Sequence, residues 1–291
     1  MLSILIPTYN YNVEALVKAL IYQSLRCKID FEILIGDDFS SQTICDVSKI
    51  RKSEFVQVHR SKISVGRTKT RKLLSSKAKY KWLLFIDSDM LPNDQNYIEN
   101  YANAVAEYTE IKAFFGGYSY SKNYPNKERL RFRYGKKREF KSAAERCINP
   151  YRNIYSGNML ISKTAFEQLN IVLENRYGLD LAFSRELEIQ KISFKHLDNY
   201  TLHMGIEDNS TFLLKSKEAS QTMRSLYEKN LISSKQSKLV RAYKLIDKLG
   251  LVKVVKLKGW LLNPLVCWLL INFKSPLIAL DLYKFYHFCK N

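Results

Sequence analysis

Cysteine is sparse here and never paired. Cys27, Cys45, Cys147, Cys267 and Cys289 are scattered, with neither CxxC spacing nor an even framework. That excludes a zinc knuckle and a disulfide scaffold, and it points to a reducing compartment. No leader is expected either. The opening Met1-Leu2-Ser3-Ile4-Leu5-Ile6-Pro7 has no basic stretch and meets Pro7 too early for a signal peptide, so a cytoplasmic body is expected. Internal repeats and low-complexity linkers are absent. Acids are the scarce charge: 28 Asp and Glu against 47 Lys and Arg leave +19, which calls for a polyanionic partner. Nucleic acid, anionic lipid and phosphorylated substrates are the three classes to separate. No helix-turn-helix, ribonucleoprotein or zinc-finger signature accompanies the charge, so no nucleic-acid partner is expected. What is plentiful is apolar: 46% of 291 residues, enough for one large α/β domain with an appendage or two modest domains.

The first 90 residues alternate strand and helix signals. Apolar runs at Ser3–Ile6, Phe31–Ile35, Phe55–His59 and Trp82–Ile86 read as strands. Between them, Val13–Leu25 has helical spacing, Thr43–Arg51 a weaker helical signal and Thr68–Lys77 a basic helical one. Such alternation implies right-handed crossovers and a parallel sheet. Ligands then gather outside the carboxyl ends of the strands. That edge collects the loops Pro7–Asn12, Asp37–Ser41 and Asp87–Asp89, an acidic rim in a basic protein. Further on, Asn93–Tyr108 reads as a helix, Ala113–Tyr118 as a strand, and Tyr155–Ile161 as a strand. Ser121–Arg146, with ten Lys and Arg against three Glu, reads as a long basic loop, either a substrate-ordered lid or a solvated segment.

Asp87 and Asp89, two apart at a strand end, can face one side of a loop and suit Mg²⁺ or Mn²⁺ bridging a diphosphate. Three stretches then carry a resemblance: Ser3-Ile4-Leu5-Ile6-Pro7-Thr8-Tyr9-Asn10, Phe31 through Ser40 with Gly36-Asp37-Asp38, and Phe85-Ile86-Asp87-Ser88-Asp89. Together with Gly66…Thr70-Arg71, in order and spacing, they resemble the family 2 glycosyltransferases of GT-A fold. The resemblance covers roughly the first 215 residues. It implies an α/β, Rossmann-like nucleotide-diphospho-sugar transferase fold, a mixed sheet flanked by helices, and an inverting transferase that takes a UDP-sugar. By resemblance, Pro7, Thr8 and Tyr9 cradle the nucleotide, Asp37 and Asp38 approach the base, and Arg71 lies near base or diphosphate. Asp87 and Ser88 meet the donor, Asp89 ligates the metal with Asp87, and His203 completes the site. Ser156-Gly157-Asn158 resembles the small-residue turn beside the donor sugar. Asp180, in Tyr177-Gly178-Leu179-Asp180, stands as the base that takes the acceptor's proton, although Leu179 occupies a place where an acid is usual. Asp180 as a helix-terminal acid and His203 as a packing residue are the bland alternatives. His59, His196 and His287 read as packing or surface residues.

Residues 216–291 read as a separate basic and apolar helical tail after a catalytic domain of 1–215. Ser233–Lys258 holds eight Lys and Arg against one Asp, and Trp260–Ile271 is apolar yet short of a span. That pattern fits a helix lying in the plane of an anionic membrane, with a hairpin packed on the catalytic domain as the alternative. The resulting expectation is a hexosyl or N-acetylhexosaminyl transferase, metal-dependent and held at the inner face of the cell membrane. It would act on a glycan or lipid-linked saccharide acceptor in cell-surface polysaccharide synthesis. A catalytically inactive assembly subunit, a nucleotidyltransferase and a nucleic-acid-binding protein are the competing readings.

Overall fold

The computed structural model describes residues 1–50 and 52–290. Strands β1 (Leu2–Thr8), β2 (Phe31–Asp37), β3 (Val56–Arg60) and β4 (Trp82–Ile86) run parallel, linked on the way by helices α1 (Glu14–Arg26) and α2 (Arg67–Lys77). The expected helix at Thr43–Arg51 is reduced to a single 3₁₀ turn, Val47–Lys49, and Arg51 lies outside the described residues. Next come β5 (Met90–Pro92), α3 (Tyr97–Glu107), β6 (Ala113–Phe115) and β7 (Tyr118–Ser119). The single strand expected at Ala113–Tyr118 is thus two. The chain bends at Gly116-Gly117, where Asn158 Nδ2 donates to the Gly117 carbonyl at 2.9 Å, and the two pieces join different sheets.

Segment 121–146 is not a bare loop. It forms α4 (Leu130–Tyr134), a π turn at Gly135–Glu139 and α5 (Ala143–Cys147), and it buries Arg131 and Arg146. Arg146 is wholly enclosed because its guanidinium donates to the carbonyls of Phe115, Gly116 and Leu197, the partners a buried cation needs. Then follow β8 (Asn158–Ser162), α6 (Lys163–Gln168), α7 (Asp180–Ile189), β9 (Phe194–His196) and β10 (Thr201–His203).

The main sheet has the order β3-β2-β1-β4-β8-β6-β9, with β8 antiparallel to β4 and β6, so it is mixed as expected. A smaller sheet, β5-β10-β7, sits beside the carboxyl end of β4. Both faces of the main sheet are covered, and the strand period of two sorts side chains between them. Ile4, Ile6, Ile33 and Ile35 point into one core with α1 and α3. Leu5, Leu34, Leu83 and Phe85 point into the other with α2, α6 and α7. Ile4 is fully enclosed, so Ile4→Ala would cost about 2–5 kcal/mol.

The C-terminal helices are α8 (Asn209–Glu228), α9 (Lys238–Lys248), α10 (Val252–Asn272) and α11 (Leu277–Lys290). The expected boundary at residue 215 falls inside α8, which Asp208 caps by accepting from Thr211 N at 2.9 Å. Helix α11 buries Leu277, Leu280, Tyr283 and Phe288 against α8 and its neighbours. Helix α10 is different. It has 21 residues, extends beyond the apolar run Trp260–Ile271, is apolar enough by length and composition to cross a membrane, and is hardly buried. Lys253, Lys256, Trp260, Leu261, Leu265 and Trp268 all lie exposed along it.

Candidate active site

The site stands on the carboxyl ends of β1, β2 and β4. The register pairs Thr8 with Asp37, and Asp38 N donates to the Thr8 carbonyl at 2.9 Å, tying the first two loops together. Asn10, at φ +50°, completes the tie: its Oδ1 accepts from Ser41 N at 2.8 Å. Asp38 is nearly buried and accepts from Val65 N (2.6 Å), Gly66 N (2.9 Å) and Ser64 Oγ (3.0 Å). This acid therefore anchors the turn that starts α2. Asp37 accepts from Ser40 N at 2.9 Å and faces Arg60 at 3.4 Å.

Asp87 ends β4 between two arginines of α2. Arg71 Nη2 donates to its Oδ1 at 2.6 Å and Arg67 Nη1 to its Oδ2 at 3.2 Å. Burial opposes its charge, yet Arg71 and Arg67 hold the carboxyl below the usual range. A Cβ on Gly157 would come within 2.2 Å of Asp87 Oδ2, so only glycine lets the carboxylate lie here. Arg67 also reaches Asp180 at 3.4 Å. Desolvation disfavours the Arg67 cation, but Asp180 and Asp87 outweigh it and raise its pKa. Arg71 Nη1 donates at 2.7 Å to Ser156 Oγ, which donates in turn to Asp180 Oδ1. One guanidinium thus indexes both carboxylates.

Asp89 has no such support. Burial first and Asp87 second push its pKa up to about 6. Its Oδ2 lies 3.7 Å from His203 Nε2, brought there by the pairing of β10 with β5. His203, its pKa lowered to about 4 by burial and then by Arg131, is neutral near pH 7. Arg131 Nη2 donates to His203 Nε2 at 3.3 Å while its Nη1 holds Glu139 at 2.9 Å, and Tyr120 stacks on the imidazole at 5.7 Å. The fit to a divalent cation rests on this pair. A separation of 3.7 Å is spanned by two ligands on one ion with bonds of about 2.0–2.2 Å. A Cβ on Gly205 would come within 2.1 Å of Asp89 Oδ2, so the space beside the carboxylate is kept clear. Among the described residues no cluster of three or more His, Cys, Asp or Glu converges on one point. Asp87, expected as the second ligand, is engaged by both arginines.

Asp180 begins α7 with its carboxylate 39% exposed, open to an incoming group. Leu179 before it is buried with Leu226, Val240, Tyr243 and Phe288 from the C-terminal helices. An acid at that position would be buried among apolar side chains, and that packing accounts for the leucine.

One cleft of about 1220 Å³ gathers Pro7, Thr8, Tyr9, Asp38, Asp87, Ser88, Asp89, Asp180 and His203 from the sequence-derived set. Asp37, Arg71, Gly157 and Asn158 are not on its wall. Asn158 is a buried hub: its Oδ1 accepts from Tyr97 and Tyr101, both at 2.7 Å, and its Nδ2 serves two carbonyls. With its polar atoms spent, it has none to offer a sugar. Arg67, Arg131 and Glu139 were missed. Arg67 carried a signal, lying one helical turn before Arg71 on the same face. Arg131 and Glu139 carried none, submerged among the charges of segment 121–146.

The family model of glycosyl transferase family 2 matches residues 3–169. No curated protein matches the sequence. Among solved structures, the mannosyltransferase PcManGT from Pyrobaculum calidifontis, in complex with GDP-Man and Mn²⁺, is 12% identical, with 78% of this chain and 64% of that one covered, at a TM-score of 0.56. S. aureus TarS 1–349 in complex with UDP-GlcNAc is 16% identical over 99% of this chain and 90% of that one, at 0.55. Glucosyl-3-phosphoglycerate synthase from Mycobacterium tuberculosis, with Mn²⁺, UDP-glucose and phosphoglyceric acid, is 14% identical over 80% of each chain, at 0.52. The chain spans less than two thirds of PcManGT, and 39% of the longer TarS chain. At these identities the likeness is one of fold.

Proposed function

The chain belongs to glycosyl transferase family 2, and we propose that it moves a hexose or N-acetylhexosamine, with inversion, from a UDP-sugar to a hydroxyl of a glycan or lipid-linked acceptor in cell-surface polysaccharide synthesis. The observation that carries this reading is the meeting of Asp89, His203 and Asp180 in one cleft floored by the nucleotide-side loops of β1 and β2. Asp180, exposed and oriented by Ser156 and Arg67, is positioned to take the proton of the acceptor hydroxyl. Arg67 bridges Asp180 and Asp87, which fixes the base relative to the donor side.

Asp89 and His203 would hold Mn²⁺ or Mg²⁺, with Arg131 yielding the Nε2 lone pair that it now occupies. When bound, the ion supplies positive charge to a leaving diphosphate. Two protein ligands leave positions for phosphate oxygens, as hard cations at such sites commonly have. The exposed α10, with lysines at its start and tryptophans along it, supports attachment in the plane of an anionic membrane at the cytoplasmic face.

The test is a UDP-release assay on the full chain with a panel of UDP-, GDP-, CDP- and dTDP-sugars and Mn²⁺. Asp180→Asn should lower turnover by about 10²–10⁴-fold and leave UDP affinity within about twofold, since no nucleotide-side bond is removed. Full turnover in Asp180→Asn would take the base from Asp180.

A further inference from the structure

Positive charge in the cleft is unevenly matched. Arg131 bonds Glu139 at 2.9 Å, Arg138 bonds Asp281 at 2.8 Å and Lys215 bonds Glu207 at 2.7 Å. Lys141, Arg152 and Lys238 line the same cleft and form no ion pair among the described residues. Arg152 is fixed by carbonyls instead: Nε donates to Lys235 O and Nη2 to Ser234 O, both at 2.9 Å, and Nη1 donates to Asn149 Oδ1 at 3.0 Å. Lys141 Nζ donates to Asn153 Oδ1 at 3.1 Å. Lys238 opens α9, exposed. The one acid on this stretch of wall, Glu145, is spent on its capping box, accepting from Ser142 N at 2.8 Å and Ser142 Oγ at 2.9 Å. Burial and then the like charge of Lys238 depress the Lys141 pKa against the opposing pull of Glu145, while burial and Arg241 depress that of Arg152. Cations gathered without an ion-paired carboxylate repel one another, and an anion in their midst relieves that repulsion.

These three residues come from the segment that follows α4 and from the start of α9, not from the β1, β2 and β4 ends where the donor loops lie. They also line a concave wall, unlike the convex apolar α10. We propose that Lys141, Arg152 and Lys238 form an acceptor subsite for a phosphate group, so that the acceptor is a phosphate-bearing saccharide or lipid phosphate whose free hydroxyl reaches Asp180. This deepens the transferase reading and rests on it. The hydroxyl oxygen forms the new bond to the anomeric carbon, and the bond from that carbon to the donor phosphate breaks. The nucleoside diphosphate leaves with the electron pair, and Asp180 takes the hydroxyl proton. The acceptor's own phosphate is held and does not react.

The experiment is calorimetry on the full chain saturated with UDP and Mg²⁺, so that the nucleotide side is occupied. The probes are glycerol 3-phosphate and 1-decanoylglycerol 3-phosphate, each with a phosphate and a free hydroxyl, and glycerol and 1-decanoylglycerol are the uncharged controls. Both phosphate esters should bind and neither control should. Lys141→Gln combined with Lys238→Gln should weaken binding at least tenfold with UDP affinity within twofold. Lys238→Glu, at an exposed helix start that tolerates substitution, should weaken it further than Lys238→Gln. Equal affinity for the two esters would identify a soluble phosphate, and a preference for 1-decanoylglycerol 3-phosphate a lipid phosphate. Phosphate esters that ignore UDP-loaded protein, or that bind the double variant as well as wild type, would overturn the subsite. Should UDP itself fail to bind, the transferase reading falls, whereas phosphate binding that still depends on Lys141 and Lys238 would leave the subsite standing.

Discussion

Arg71 lies with its side chain 9% exposed between Asp87 and Ser156, and through Ser156 it touches Asp180. Its motif marked it as a nucleotide contact, but its bonds are to the protein's own carboxylates. Replacing it with methionine leaves Asp87 buried with Arg67 alone, and removing one partner of such a pair costs about 3 kcal/mol. A urea midpoint shift of that size is expected, and a loss below about 1 kcal/mol would mean that Arg67 takes over the pairing. The two neighbouring acids divide in the same way. Asp38 secures the Val65-Gly66 turn, and Asp89, with no cation bonded to it, is left to act. Spacing exposes that such acids share an edge. It does not expose which one the backbone consumes, because that depends on the amides of residues 65 and 66 arriving from another loop.

At the scale of elements, β1, β2 and β4 were legible because doubly buried strands read as unbroken apolar runs. The failures have physical causes too. Gly116-Gly117 splits an apolar run between two sheets, and a basic segment folds because Arg131 pairs with Glu139 of the same segment and Arg146 finds buried carbonyls that only the tertiary structure supplies. Leu179 becomes intelligible only when α8, α9 and α11 are seen to cover it. The same helices are fastened at Glu188 of α7, which accepts from Lys235 at 2.6 Å, Arg185 at 2.6 Å and Gln236 at 2.8 Å. Burial opposes its charge, but these donors prevail and lower its pKa to about 2. A depressed carboxyl stabilises the fold fully above its ordinary range and loses that contribution as pH falls through about 4.5 toward about 2. Since Lys235 is 70% exposed, the contribution is about 1 kcal/mol. Glu188→Gln should therefore shift the urea midpoint at pH 7 and leave it nearly unchanged at pH 2, and equal shifts at both would remove the ionic account.

For the whole molecule, the proposed function gives the acidic carboxyl edge and the basic remainder different neighbours. Asp38, Asp87 and Asp89 stand on the strand-end side of the cleft and Lys141, Arg152 and Lys238 on its far wall, while the lysines of α9 and the start of α10 adjoin the exposed apolar stretch of α10. The proposed membrane attachment would rest on Trp260, Leu261, Leu265 and Trp268, whose exposures of 65%, 61%, 54% and 53% are high for apolar side chains. Replacing Leu261 and Leu265 by serine removes apolar contact worth about 1.5–3 kcal/mol per side chain when fully buried. Flotation with phosphatidylglycerol vesicles should then recover at least tenfold less protein than with wild type. Vesicle binding unchanged in the double variant would assign α10 to a different partner.

The central claim, a metal-assisted nucleotide-sugar site built on Asp89 and His203, is tested most directly by titrating UDP into the full chain by calorimetry with Mn²⁺ and again with EDTA, using wild type and Asp89→Ala. The account predicts UDP binding that needs Mn²⁺ and is lost in Asp89→Ala while the thermal unfolding midpoint holds, because Asp89 contributes no ion pair that the fold depends on. UDP binding of equal strength in all four conditions would contradict the metal site, and no UDP binding by folded wild-type protein would contradict the transferase reading itself.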